Sequence, residues 1–274
     1  MQGKLHFISG LPRAGSTLLS ALLRQNPKMS AGMSSPVGPL FNAMLRETAM
    51  NKEYGLFIDT EMRRKLLHGV FDAYYADARP DSITFDTNRM WTTKMSALAQ
   101  MYPDARVVCC VRNPAWVLDS VESLIQRNAF DLSGIFNFET GGTIYSRVEG
   151  LAGLNGMVGY ALNALREAVY GAHSDKLMLL RYETLVADPI AALRAVYDFI
   201  DEPYFIGHDP DNIAPCDDMT EFDRRMGTPG LHTVGGAVAP RTRDPLLPPD
   251  LFERYAQTEF WADPAFNRPG LRVI

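Results

Sequence analysis

Gly10 and Gly15 stand five residues apart in Gly10-Leu11-Pro12-Arg13-Ala14-Gly15-Ser16-Thr17. A loop of that spacing turns several backbone N–H groups toward one anion, and the helix behind it adds its positive end. Thr17 occupies the hydroxyl position of such a loop. A loop that grips a nucleoside triphosphate has lysine where this chain has Ser16. Here the cationic side chain of the loop is Arg13, two residues before Gly15. A second group of the same character is Arg112-Asn113-Pro114, with Ser120 eight residues after Arg112. Arginine presents a planar donor fork suited to phosphate. Ser120 falls two helical turns along the element that follows, on a face able to reach the same cavity.

Pro12-Arg13-Ala14-Gly15-Ser16-Thr17 resembles throughout the 5′-phosphosulfate loop of sulfotransferases that use 3′-phosphoadenosine-5′-phosphosulfate (PAPS), whose pattern is P-[KR]-[SA]-G-[ST]-[ST]. The family also carries R-[DN]-P at a strand end with a serine eight positions on, as at Arg112 and Ser120. The resemblance implies that Pro12 to Thr17 hold the 5′-phosphosulfate and that Arg112 and Ser120 hold the 3′-phosphate. Arg181-Tyr182-Glu183-Thr184-Leu185 and Pro189 are similar to the family's segment R-Y-E-x-L-x-x-x-P. That likeness puts Tyr182 on the nucleotide, although a buried tyrosine serves equally as core. The glycine-rich stretch Gly230–Arg241 resembles a loop that closes over the adenosine, with Arg241 near the 3′-phosphate. The likeness runs from residue 5 to about 200. PAPS is then the cosubstrate, its desulfonated product PAP is released, and no metal is required. The Pro-Arg form of the loop looks closer to the tyrosylprotein branch, so a peptide tyrosine is favoured over a small phenol or a sugar as the hydroxyl-bearing acceptor.

Sulfuryl transfer needs in-line positioning and stabilisation of charge on the departing bridge oxygen, for which Arg13 is the natural group. The acceptor hydroxyl also needs a base. In the resembling families that base is a glutamate shortly after the first helix, or a histidine in the middle of the chain. The matching region here, Ala31-Gly32-Met33-Ser34-Ser35-Pro36, has no carboxylate, and no histidine lies between His68 and His173. Asp86, at a predicted strand end, is the first candidate, with a helix cap or an ion pair to Arg89 as its alternative role. His232 in the C-terminal loop is the second. Arg89 follows the same strand end and is expected to face the cavity. The Met- and aromatic-rich stretches at 41–50 and 70–75 either line an acceptor pocket or belong to the core.

The elements that must position these groups read as strands alternating with helices. Leu5 to Ser9, Ile83 to Asp86, Arg106 to Arg112 and Lys176 to Tyr182 read as strands. Helical spacing recurs at 17–24, 59–78, 92–101, 115–126, 151–171 and 189–200, while 27–40 reads as loop. The pattern predicts an α/β, three-layer P-loop-like fold, with a central parallel sheet flanked by helices. The motifs then lie at the carboxyl ends of strands, where such sheets bind ligands. A single domain over 1–274 is expected, with 204–274 irregular and covering the cosubstrate or acceptor.

The bulk numbers fit this picture. A net charge of -5 argues against a nucleic-acid partner, yet a local arginine cluster can still bind a small anion. Cys109, Cys110 and Cys216 have no spacing suited to a zinc site or a disulfide framework, so a reducing compartment and a cytoplasmic protein are expected. Nothing approaches the ~20 apolar residues of a membrane span. Two other readings remain open: a P-loop-type small-molecule kinase, against which Ser16 stands, and a nucleotide-binding module without chemistry.

Overall fold

The computed structural model describes residues 3–139, 142–214, 219–240, 242–263, 265–266 and 268–274. Cys216 and Arg241 lie outside the described residues. The chain runs β1 (Lys4–Gly10), α1 (Ser16–Leu23), β2 (Met29–Ala31), α2 (Val37–Glu47), α3 (Thr60–Tyr74) and β3 (Ile83–Thr87). A 3₁₀ turn, Arg89–Lys94, leads into α4 (Met95–Met101), followed by β4 (Val107–Val111), α5 (Pro114–Arg127), α6 (Ile144–Ala152) and α7 (Met157–Tyr170). The remainder is β5 (Leu177–Arg181), α8 (Tyr182–Ala187), α9 (Pro189–Phe199), α10 (Thr220–Arg225), α11 (Pro249–Ala256) and β6 (Arg272–Val273).

The six strands form one parallel sheet in the order β2-β3-β1-β4-β5-β6. Strand β4 explains why it must be covered on both sides. Val107, Val108, Cys109, Cys110 and Val111 are all buried, although successive residues point to opposite faces. The two thiols sit in this apolar layer, and burial pushes Cys110 up to about 12, so it behaves as a small hydrophobe. The α/β architecture expected from the alternation is the one observed.

Gly10 lets β1 approach β4. Its φ is +125°, and an added Cβ would lie 2.0 Å from the carbonyl oxygen of Cys110. Only glycine fits that contact and that conformation.

Three expected boundaries change. Residues 27–40, read as loop, contain β2 and the start of α2. The helix expected over 151–171 is two helices, because Gly153-Leu154-Asn155-Gly156 breaks the ladder between α6 and α7. Tyr182, expected as the end of a strand, opens α8. The stripes of α2 and α3 divide their roles. Phe41 and Phe71 are fully buried, with ring centroids 6.2 Å apart, whereas Leu40, Met44, Val70 and Tyr74 line an apolar surface groove.

Candidate active site

The glycine loop runs from Gly10 at the end of β1 to Gly15, the N-cap of α1. The N-cap residue makes no side-chain cap hydrogen bond to α1, and the helix turns its positive end toward the loop. Gly15 has φ +94°, and a Cβ there would meet the Tyr182 ring at 3.1 Å. Tyr182 therefore packs directly on the loop, and only a residue without a side chain leaves it room.

Arg13 has φ +59°, an uncommon left-handed conformation for a residue with a side chain. The turn sends its guanidinium across the cleft to α5. Arg13 Nε donates to Ser120 Oγ at 3.1 Å, and Nη1 donates to the carbonyl oxygen of Leu231. Burial lowers the Arg13 pKa from its usual value, and Arg127 and Arg112 lower it further, partly opposed by Tyr182 and Asp223. A guanidinium is not neutralised by such a shift. The lowering instead marks a buried cation with like charges nearby, which an anion would relieve.

Arg112 stands at the end of β4, and α5 begins two residues later with Pro114 at its first position. Asn113 caps α5 by accepting from Ala115 N at 3.0 Å. Its amide also donates to Ala256 O at 3.2 Å and Glu259 Oε2 at 2.6 Å, which ties the C-terminal segment to this turn. The Arg112 guanidinium lies 4.2 Å from the Tyr182 ring centroid and 6.0 Å from that of Trp116. Its Nε is buried with no hydrogen-bond partner, and the nearest carboxylate, Glu183, is 4.0 Å away and exposed. Buried donors of this kind are costly unless a ligand satisfies them.

Arg243 was not among the expected residues. It pairs with the fully buried Asp119 and lies 5.3 Å from the Trp116 centroid, close enough to Arg112 to lower its pKa. Asp119 also accepts from Leu246 N and Leu247 N at 2.5 and 3.0 Å. That clamp fastens the strap after residue 242 to α5. No spacing rule in the sequence links Arg243 to Asp119.

The two candidate bases occupy different surroundings. Asp86 is fully buried, and both its oxygens are taken. Trp91 Nε1 donates to Oδ1 at 2.7 Å, and Ser35 and Tyr75 donate to Oδ2 at 2.6 and 2.7 Å. Burial pushes the Asp86 carboxyl up, and these three bonds pull it back. Its alternative as a partner of Arg89 is not what forms: among the described residues no carboxylate pairs with Arg89.

His232 lies beside Arg13, one residue after the carbonyl that Arg13 holds. Asp223, on α10, takes its backbone N–H at Oδ2 (2.9 Å) and its ring Nδ1 at Oδ1 (2.5 Å). An ionised carboxylate accepts only, so Nδ1 carries the proton and Nε2 keeps its lone pair. Burial lowers the His232 pKa, Asp223 raises it, and Arg13 and Arg89 lower it again. Asp223 escaped the sequence reading because an acidic residue nine positions before a histidine has no distinguishing pattern. By contrast His6, inside β1, accepts from Arg106 N at 3.1 Å and is held to about 4 by burial, a structural arrangement.

With this geometry in view, comparison with known proteins decides the family. A model described as the Sulfotransferase family matches residues 6–205. The chain belongs to the sulfotransferase family. It is 27% identical over 219 residues to protein-tyrosine sulfotransferase 1 of Danio rerio, covering 73% of this chain and 54% of that protein. The chain thus spans about half the length of the curated relative it matches. Among solved structures, the sulfotransferase domain from the curacin biosynthetic pathway superimposes with a TM-score of 0.53 at 15% identity, covering 94% of this chain and 97% of that one. That likeness is one of fold. No helix among the described residues is long and apolar enough to cross a membrane.

Proposed function

We propose that this chain transfers a sulfuryl group from PAPS to an acceptor hydroxyl, releasing PAP. The observation that carries the reading is the Arg13–Ser120 contact. It joins the cation of the glycine loop to the serine of the Arg-Asn-Pro helix in one cleft. Around it stand Arg112 and Arg127, in excess of the carboxylates that reach Arg13. A dianionic nucleotide with a second phosphate answers that surplus.

PAPS supplies the sulfuryl group when bound. The N-terminal turn of α1, with Ser16 and Thr17, holds the 5′-phosphate end. Arg112, Ser120 and the stacked Tyr182 receive the 3′-phosphate end, with Arg243 beside Trp116. Arg13 meets the charge that develops on the departing bridge oxygen. His232 Nε2 takes the acceptor's proton, while Asp223 keeps Nδ1 protonated and steadies the imidazolium that forms. Between the two candidate bases the reading favours His232, because Asp86 is fully buried, accepts three hydrogen bonds and serves to fix Ser35, Tyr75 and Trp91.

Thermal unfolding with PAP beside Mg-ATP tests this. A ligand at 100 times its dissociation constant adds about 2.7 kcal/mol. A rise in midpoint with PAP and none with Mg-ATP is expected; a rise with Mg-ATP alone would transfer the proposal to phosphoryl chemistry.

A further inference from the structure

A cavity of about 970 Å³ opens beside the cleft between the 3₁₀ turn at Arg89 and the broken junction of α6 and α7. Its wall mixes aliphatic and aromatic surface from Ile135, Phe136, Leu154, Met157 and Tyr160 with polar groups. A volume of that order suits a small organic molecule.

One cation of this wall is already committed. Arg147 is paired with Glu122, its Nε donating to Oε2 at 2.9 Å. Arg89 is different. It is exposed and lines the cavity, and among the described residues no carboxylate pairs with it and no side chain accepts from its guanidinium. Glu149, in the same wall, is engaged by Arg254 and by Tyr255 at 3.2 Å. Glu139 also lines the cavity and forms no ion pair with Arg89.

The backbone at Arg89 is fixed by hydrogen bonds. Its carbonyl accepts from Ser9 Oγ at 3.0 Å and Thr92 Oγ1 at 3.2 Å, and Asn88 N donates to Ile8 O at 3.0 Å. Ser9 immediately precedes Gly10, so Arg89 sits at the carboxyl end of β1, at the root of the glycine loop. Its charge reaches His232. A group bound to Arg89 would thus lie on the acceptor side of the reacting centre.

We infer that the acceptor is a small hydroxy acid, an apolar body with a hydroxyl at one end and a carboxylate that Arg89 receives. This rests on the sulfotransferase reading. The planar guanidinium matches a carboxylate bidentately, and among the described residues no carboxylate competes for it. A rival role for the same arginine is to hold the transferring sulfuryl oxygens, and the experiment separates the two.

Wild type and Arg89→Gln would be assayed with PAPS and matched pairs: 4-hydroxyphenylacetate against its amide, and 10-hydroxydecanoate against its amide. In wild type the carboxylate of at least one pair should exceed its amide in kcat/KM by about tenfold or more, mostly through KM. Arg89→Gln should bring that ratio to about one, and Arg89→Lys should restore part of it. The PAP-induced rise in midpoint reports whether each variant is folded. No preference for either carboxylate, or a preference that survives Arg89→Gln while both members of the pair slow alike, would overturn the inference. The second result would assign Arg89 to the sulfuryl group. A preference found only in a tyrosine peptide flanked by glutamate would also overturn it. Failure of wild type to bind PAP would instead sink the underlying sulfotransferase reading.

Discussion

Arg13 Nε and Ser120 Oγ meet at 3.1 Å although 107 residues of chain separate them. One belongs to the loop after β1 and the other to the helix after β4, adjacent strands of the sheet. The pairing of Gly10 with Cys110 aligns the two strand ends, and the motifs meet because the strands do.

Arg13→Ala should abolish turnover. A lost donor at a developing oxyanion costs about 3–4 kcal/mol, or roughly a hundredfold to a thousandfold in kcat. Single-turnover kinetics with saturating PAPS would show it. A variant with near-wild-type kcat would remove Arg13 from the mechanism.

Arg112→Ala should weaken PAP by about 1.5–3 kcal/mol, the worth of a charged hydrogen bond. Adenosine phosphosulfate, which lacks the 3′-phosphate, should lose much less. Calorimetric titration of both ligands checks this, and equal losses would defeat the 3′-phosphate assignment.

As the proposed base, His232 must be neutral to accept a proton. Burial lowers its pKa, so kcat/KM should rise with pH through an apparent pKa below the usual 6.5 and level off near neutrality. Asp223 raises that pKa, so Asp223→Asn should move the rise to lower pH and depress the plateau by about tenfold or more. His232→Ala should remove the limb altogether. A limb unmoved in both variants would assign the base elsewhere.

Much of this cleft was legible before any coordinates. Strands β1, β4 and β5 announce themselves as apolar runs, β3 is only a short stretch of β-formers, and both motifs sit where the apolar runs of β1 and β4 end. The edge strands did not, because three residues of β2 and two of β6 are too short to carry a period. The partners of the site residues were hidden for a different reason. Asp223, Trp116 and Arg243 reach the cleft through folding of the segment after residue 200 and through one face of α5, and neither leaves a spacing signal. Asp86 looked available because nothing in its neighbourhood of sequence shows that Tyr75 and Ser35 fold onto the same carboxylate as Trp91.

His6 provides a stability test independent of ligands. Its folded pKa is lowered to about 4 from 6.5, so between these values the unfolded chain binds more protons. Stability contributed by neutral His6 is complete above pH 6.5 and lost as pH falls toward 4, by roughly 3 kcal/mol in all. Urea melts across that range should show the loss. His6→Asn, whose side-chain oxygen can accept from Arg106 N, should flatten the slope.

Gly10→Ala should be poorly tolerated, since its Cβ would collide with the Cys110 carbonyl at 2.0 Å. A drop of several degrees in Tm, or loss of soluble protein, is expected. An unchanged Tm would mean that β1 can retreat from β4 at no cost.

The carbonyl of Leu231 is a particular kind of tether for Arg13. A carboxylate in its place would order the guanidinium but cancel its charge, and an incoming anion would first have to displace a counter-ion. A peptide oxygen brings a dipole and no formal charge. It keeps the side chain pre-aimed while the full positive charge stays unspent, so the cleft meets its anion without a change of ion partner.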